Sequence, residues 1–174
     1  MVPPSAPISS TDAAKTVIGV ADMAISSDPN ATLITYALGS CIGVTVYDPQ
    51  VHVGGMLHFM LPSAKLSQEK AENNPAMFGD TGIPLLFKKC YELGAQKERM
   101  IVCAAGGAEV MSDNGQFKIG SRNRTLIRKI FWKNNILISA DDTGSTISRT
   151  MALSMADGSV TIRNKATERM IWPL

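Results

Sequence analysis

Cys41 and His58 have the residue types and spacing for covalent chemistry. Cys41 stands in "TYALGSCIGVTVYDP", directly after Gly39 and Ser40 and ahead of an apolar alternation. His58 follows seventeen positions later in "GGMLHFMLP". A thiol attacks a carbonyl carbon only as thiolate, and a neighbouring imidazole both lowers its pKa and accepts its proton. A third polar group usually holds the imidazole in its useful tautomer. A cysteine where a strand begins, just behind a Gly-Ser turn, is exposed at the sheet edge beside free backbone N–H groups. Those of Ser40, Ile42 and Gly43 are the candidates for holding an oxyanion. The plainer reading is strong on residue types alone. A lone cysteine at an apolar strand start is commonly a small buried hydrophobe, and a lone histidine in an apolar strand is commonly a hydrogen-bonded core residue.

The remaining reactive residues fit a structural role better. Cys90 belongs to a helical apolar face and Cys103 to a strand interior. Three cysteines, odd in number and far apart, argue against a disulfide framework and for reduced thiols in a cytoplasm. There is no C-x-x-C pair and no H-E-x-x-H, so neither motif supplies a metal site. His52 sits in the turn "DPQVHVGG" and is expected to be solvated, and "AAGGAE" lacks the ending of a phosphate loop and reads as a turn with close backbone packing.

The elements that must position Cys41 and His58 are legible in outline. At 174 residues, 45% hydrophobic, the chain is expected to form one domain over 15–174 behind a Pro- and Ser-containing leader over 1–14. A net charge of +2 is too small to argue for nucleic acid, and no stretch approaches the length of a membrane span. "KTVIGVADMAIS", "ATLITYAL", "CIGVTVYD" and "VGGMLHFML" read as four strands, the last stopped by Pro62, which favours an antiparallel or mixed sheet. The polar stretch at 63–79 reads as a long mobile loop. A helix is expected from Asp80 to Leu93, capped by Asp80 or Thr81 and ended by Gly94, with Ile83, Leu86, Phe87 and Cys90 inward. "RMIVCAAGG" is a further strand, and a second helix spans Ser121 to Lys133 with Leu126, Ile127, Ile130 and Phe131 inward. "NILISADD", "STISRTMALSM" and "SVTIRN" complete eight or nine strands. The second helix carries Arg122, Arg124, Arg128, Lys129 and Lys133 and no acidic residue. Such a run is usually a solvated face; its functional reading is a docking patch for an acidic helical partner, with Arg122, Arg124 and Arg128 as contacts.

With these residues in place, "LGSCIGVTVYDP" followed by "GGMLHFMLP" closely resembles the signature of the CheD family, the chemoreceptor glutamine deamidases of bacterial chemotaxis. "GDTGIPLLFKKCYELGA", "AAGGAEVM" and "IGSRN" resemble further family segments, and the likeness runs from Lys15 to Arg163. The resemblance implies an α/β fold of α+β type: a layered sandwich of mixed or antiparallel β-sheets with two main helices on one side. It implies a Cys-His-Thr triad of Cys41, His58 and Thr35, with the threonine orienting the imidazole. The implied reaction hydrolyses a receptor glutamine through a thioester, with no cofactor and no metal. The implied partners are chemoreceptor cytoplasmic helices and a CheC-type phosphatase, and the implied location is cytoplasmic. A target glutamine on an intact helix would need a shallow groove, framed by the basic helix and the 63–79 segment. The sequence departs from the family pattern at Ala37 and Ser145, where glycines are frequent, and at Glu109, where a small or amide residue is common.

Two other readings compete. The chain could act as a regulatory binding module on receptors or a CheC-type phosphatase, although retained binding alone would not need all three triad positions filled. It could also be another cysteine hydrolase, although the seventeen-residue Cys-to-His spacing lacks a papain-like flanking pattern. Nucleic-acid binding has no stacking platform among the scattered aromatics.

Overall fold

The structure, a computed structural model, describes residues 14–110 and 117–174. The expected leader lies outside the described residues except for Ala14, and Met111 at the end of "AAGGAEVM" lies outside them too. The chain runs β1 (Ala14–Val17), β2 (Asp22–Ser26), β3 (Ala31–Leu38), β4 (Ile42–Asp48), β5 (Val53–Phe59), α1 (Gln68–Asn73), α2 (Gly79–Glu92), β6 (Ile101–Gly106) and α3 (Ile119–Lys133). It ends with β7 (Ala140–Thr143), β8 (Arg149–Ser154), β9 (Val160–Arg163) and β10 (Glu168–Trp172).

The strands form two five-stranded sheets, one in the order β1-β3-β8-β9-β10 and the other β2-β5-β4-β6-β7. β1 with β3 and β6 with β7 pair in parallel, and the other pairs are antiparallel. Both sheets are therefore mixed, within the expected layered α+β sandwich.

Side-chain alternation distributes the core between two layers. Ile42, Val44 and Val46 of β4 and Leu57 and Phe59 of β5 pack under Leu86 and Phe87 of α2 and Ile127 and Phe131 of α3. The opposite face of the same sheet buries Met56, Cys103 and Ala105 against Leu33, Leu38, Met151 and Leu153 of the first sheet. Because β4 and β5 are covered on both faces, every residue in them is buried, as a continuous apolar run allows. Each fully buried Leu, Ile or Phe contributes roughly 1.5–3 kcal/mol to this arrangement.

The expected inward faces of both helices are observed. Ile83, Leu86, Phe87 and Cys90 of α2 are buried, as are Ile127 and Phe131 of α3, with Leu126 and Ile130 packed at the margin. Gly94 ends α2 at φ +96°. Its N–H donates to Tyr91 and the N–H of Ala95 donates to Cys90, which pairs two of the orphan carbonyls of the last turn.

Four expectations are corrected. "KTVIGVADMAIS" is two strands, because the chain turns at Ala21 (φ +58°) and passes from the first sheet to the second. The 63–79 segment is not an irregular loop but carries α1 flanked by short 3₁₀ turns at Ala64–Leu66 and Pro75–Met77. Its order comes from tertiary bonds: Ala64 N–H donates to the Asp80 carboxylate at 2.8 Å, Asn74 Nδ2 to the Ala21 carbonyl at 2.9 Å, and Thr81 Oγ1 to the Pro75 carbonyl at 2.6 Å. α2 begins at Gly79 behind Phe78, so Asp80 and Thr81 lie inside its first turn and no side chain caps it. Finally, β10 at "ERMIW" was not expected.

Candidate active site

Cys41 ends a short turn after β3 and immediately precedes β4. A register shift between Thr35 and Leu38 bulges β3, and Ala37 within it takes φ +56°. Such bulges re-aim side chains next to functional sites. The carbonyls of the turn are held one by one. Gly107 N–H donates to the Cys41 carbonyl and Ala108 N–H to the Gly39 carbonyl, each at 2.8 Å. Nδ2 of Asn123 donates to the Ser40 carbonyl at 3.0 Å. Gly106 must be glycine on two counts: its φ is +98°, and a Cβ there would run into the carbonyl oxygen of Cys41. This is the close backbone packing expected of "AAGGAE".

The ladder between β4 and β5 sets His58 beside this turn. Gly43 pairs with His58 and Ile42 with Phe59. Cys41, one residue before Ile42, therefore shares a face with Gly43 and is the diagonal neighbour of His58. Diagonal neighbours in such a pair stand roughly 7–8 Å apart at the backbone and lie within reach of long or aromatic side chains. Both face the interior between the sheets, where Cys41, half-buried, packs against the inter-sheet cluster. Gly43, across from the ring, has no room for a side chain: a Cβ there would crowd Leu38 and Met151, each at 3.0 Å.

Thr35 reaches His58 from the other sheet. Its hydroxyl lies 2.8 Å from Nδ1 of His58 and donates to the Ile18 carbonyl at 2.7 Å, and both side chains are fully buried. A threonine hydroxyl has one proton. With that proton on Ile18, the contact to the ring runs from Nδ1–H to Oγ1, which leaves the lone pair on Nε2. Nε2 is buried and has no hydrogen-bond partner among the described residues. The break between β1 and β2 has a use here, because it brings the Ile18 carbonyl into place.

Burial holds this pair uncharged. It pushes the His58 pKa down to about 4, and it pushes the Cys41 thiol above its ordinary value, an effect its own backbone N–H partly opposes. The histidine was expected to lower the thiol pKa; desolvation instead sets the direction of the shift, upward. Cys90 and Cys103 are buried, with thiols pushed up to about 12 and about 11 by burial, as befits core residues. His52 is exposed, with Nδ1 2.9 Å from the Tyr47 hydroxyl.

The candidate oxyanion donors differ in what they have available. Ile42 and Gly43 lie in a strand paired on both sides. The amides of Ser40 and Cys41 lie outside the strands and donate to no carbonyl among the described residues.

The arginines on α3 also divide. Arg124 forms an ion pair with Glu109 at 3.3 Å, and its stem packs over Gly107, bracing the segment behind Cys41. Arg128 approaches Asp141 at 3.9 Å and is mostly exposed, and Arg122 is exposed. Ser145 takes φ +63° and accepts from Glu109 N–H at 2.9 Å. Ala37 and Ser145, the two departures from glycine, thus both occupy left-handed positions, where glycine carries no Cβ penalty. Asn123 and Arg149 were not singled out from the sequence. Buried Arg149 donates to the Gly144 carbonyl at 2.8 Å and pairs with Asp142 at 3.4 Å, while Gly144 N–H donates to the Gly106 carbonyl. A polar residue inside a basic run or a serine-rich strand gives no sequence sign of such a role.

A half-buried thiol, a buried imidazole bonded to a threonine, and two amides that donate to no carbonyl among the described residues are the groups that nucleophilic chemistry at a carbonyl would use. A family model described as CheD chemotactic sensory transduction matches residues 60–164. The probable chemoreceptor glutamine deamidase CheD 1 of Syntrophus aciditrophicus is 51% identical over 148 residues, 85% of this chain and 92% of that protein. The corresponding protein of Solibacter usitatus is 42% identical over 157 residues, 90% of this chain and 93% of its own. That of Pyrococcus horikoshii is 38% identical over 153 residues, 87% of this chain and 92% of its own. The chain belongs to the CheD family.

Proposed function

We propose that this protein deamidates glutamine side chains of chemoreceptors, with Cys41 as nucleophile, His58 as general base and then acid, and Thr35 as the residue that fixes the ring. The observation that carries the mechanism is the Thr35–His58 hydrogen bond, which leaves the Nε2 lone pair free on the face shared with Cys41. Family membership supplies the substrate class, because the relatives are named as chemoreceptor glutamine deamidases.

The reaction starts from neutral thiol and neutral imidazole. Nε2 takes the Cys41 proton as sulfur bonds to the carboxamide carbon, and the amides of Ser40 and Cys41 receive the oxyanion. The imidazolium then gives its proton to the amide nitrogen, the C–N bond breaks and ammonia departs, leaving a thioester. Water, deprotonated by His58, attacks the thioester carbon; the C–S bond breaks, glutamate is released and the thiol is restored. Turning a neutral amide into a carboxylate changes the receptor's charge and so its signalling balance. The described residues include no helix long and apolar enough to cross a membrane, and we place the reaction at the cytoplasmic part of the receptor. The exposed basic face of α3 around Arg122, Arg128, Lys129 and Lys133 is the proposed docking surface for an acidic partner, either the receptor or a CheC-type phosphatase.

The test is mass spectrometry of a receptor cytoplasmic fragment incubated with the protein or its Cys41→Ala variant. Glutamine-to-glutamate conversion lost in the variant supports the proposal. Conversion that survives in the variant removes Cys41 from the mechanism. No conversion by the intact protein across several receptors favours the binding-module reading.

A further inference from the structure

Asn123, in the second turn of α3, is fully buried, and its side chain ties the cysteine turn to the histidine strand. Nδ2 donates one hydrogen to the Ser40 carbonyl at 3.0 Å and the other to the Met60 carbonyl at 2.9 Å. Ser40 directly precedes Cys41. Met60 lies two residues after His58, directly beyond the last pair of the ladder, Ile42 with Phe59, and Cys41 lies directly beyond that pair on the other strand. The two protons of one planar amide thus fix the separation of two backbones. The helix is seated for this purpose: a Cβ on Gly120 would collide with the carbonyls of Gly107 and Ala108, the segment that holds the cysteine turn from its other side. Oδ1 of Asn123 is buried and has no partner among the described residues. An unsatisfied buried acceptor costs about 1–3 kcal/mol. The side chain is therefore kept for its nitrogen, which holds the site's two halves together.

We infer that Asn123 is a positioning residue for the reaction proposed above: it sets the distance between the sulfur of Cys41 and Nε2 of His58 and touches no substrate. The inference rests on the reading of those two residues as nucleophile and base.

Asn123→Asp keeps the shape but removes both donors, and Asn123→Ser is too short to reach both carbonyls. A displacement of about 1 Å costs on the order of 100-fold in rate, so kcat for receptor deamidation falls by that order while KM stays within about twofold. Alkylation of Cys41 by iodoacetamide slows as well, and its pH profile moves toward that of His58→Gln. In the double variant Asn123→Ser with His58→Gln, the loss equals that of His58→Gln alone, because both act on one proton transfer. Multiplying losses, a loss carried by KM, or a folded variant with the full rate would overturn the inference. Alkylation needs no receptor. If the intact protein shows His58- and Asn123-dependent alkylation but deamidates nothing, the positioning role is supported and the deamidase reading fails. Should both variants fail to fold, the Asn123 side-chain amide protons of the intact protein give the answer by NMR. Slow exchange, with a resonance shift on alkylation of Cys41, supports the role, and fast exchange or an unmoved resonance overturns it.

Discussion

Thr35→Val tests the tautomer argument most directly, because valine keeps the β-branched shape while removing the hydroxyl. Two buried bonds go with it, the 2.7 Å donation to the Ile18 carbonyl and the 2.8 Å contact with His58 Nδ1. The abandoned Nδ1–H cannot reach water, because both side chains are fully buried. The ring relieves this by carrying its proton on Nε2, which then presents a donor instead of a lone pair to Cys41. Returning to the reactive tautomer costs what an unsatisfied buried donor costs, about 1–3 kcal/mol. That barrier lowers the acylation rate by about 5- to 150-fold. The unpaired Ile18 carbonyl lowers the unfolding free energy by a similar 1–3 kcal/mol. The assay is single-turnover conversion of a receptor fragment at saturating concentration, followed by mass spectrometry, with urea unfolding in parallel. Thr35→Ser restores the hydroxyl and recovers most of the rate. A folded Thr35→Val protein within twofold of the parent rate would refute the argument, since His58 would then need no partner to choose its tautomer.

Four further outcomes follow from the same geometry. His58 has a folded pKa of about 4 against an ordinary 6.5, so between those values the unfolded chain binds the extra proton and stability falls as pH drops. The loss approaches about 3 kcal/mol below pH 4, and urea midpoints across pH 4–7 should show a slope that His58→Gln removes. The acid limb of kcat/KM should likewise lie near pH 4 rather than 6.5. Ala37→Gly relieves the left-handed φ of +56°; less the entropy glycine loses on folding, the gain is up to about 1 kcal/mol, read by thermal unfolding. Reversing charge at Arg122 and Arg128 should raise KM for the receptor fragment by about tenfold at low salt, an effect that fades as ionic strength rises; an unchanged KM counts against the α3 docking face.

What the sequence made legible was what short-range pattern encodes. The inward face of α2 at Ile83, Leu86, Phe87 and Cys90 follows from a 3.6-residue period, and β4 and β5 follow from apolar runs bounded by turn residues. The break at 18–21 was hidden because Val17, Ile18 and Val20 are all strand formers, and only sheet partners decide where such a run divides. The 63–79 segment was misread because Asp80 and Asn74 order it through bonds to residues distant in sequence. β10 was missed because its first three residues are exposed at a sheet edge and show no alternation. At the site, Cys41 and His58 announced themselves by type, whereas Thr35 in a strand is indistinguishable from an ordinary β-former without the family motif. Asn123 lay inside the family-like "IGSRN" but carried no sign of its role, since an asparagine between two arginines reads as a solvated helix face.

The neutral resting pair distinguishes the proposed reaction from one that starts with a preformed thiolate. A thiolate–imidazolium pair needs solvent or nearby charge to stabilise it, and burial here raises the thiol pKa and lowers that of the imidazole. Charge then develops only as the carbonyl is attacked, where the amides of Ser40 and Cys41 can receive it. The same low pKa makes the His58 imidazolium a strong acid, which suits the harder half of amide cleavage, protonation of the departing nitrogen. It also bears on the choice between enzyme and binding module. A protein that only binds has no use for a buried Nε2 without a partner among the described residues, which costs about 1–3 kcal/mol. A base that must accept a proton from Cys41 has to leave that nitrogen unpaired.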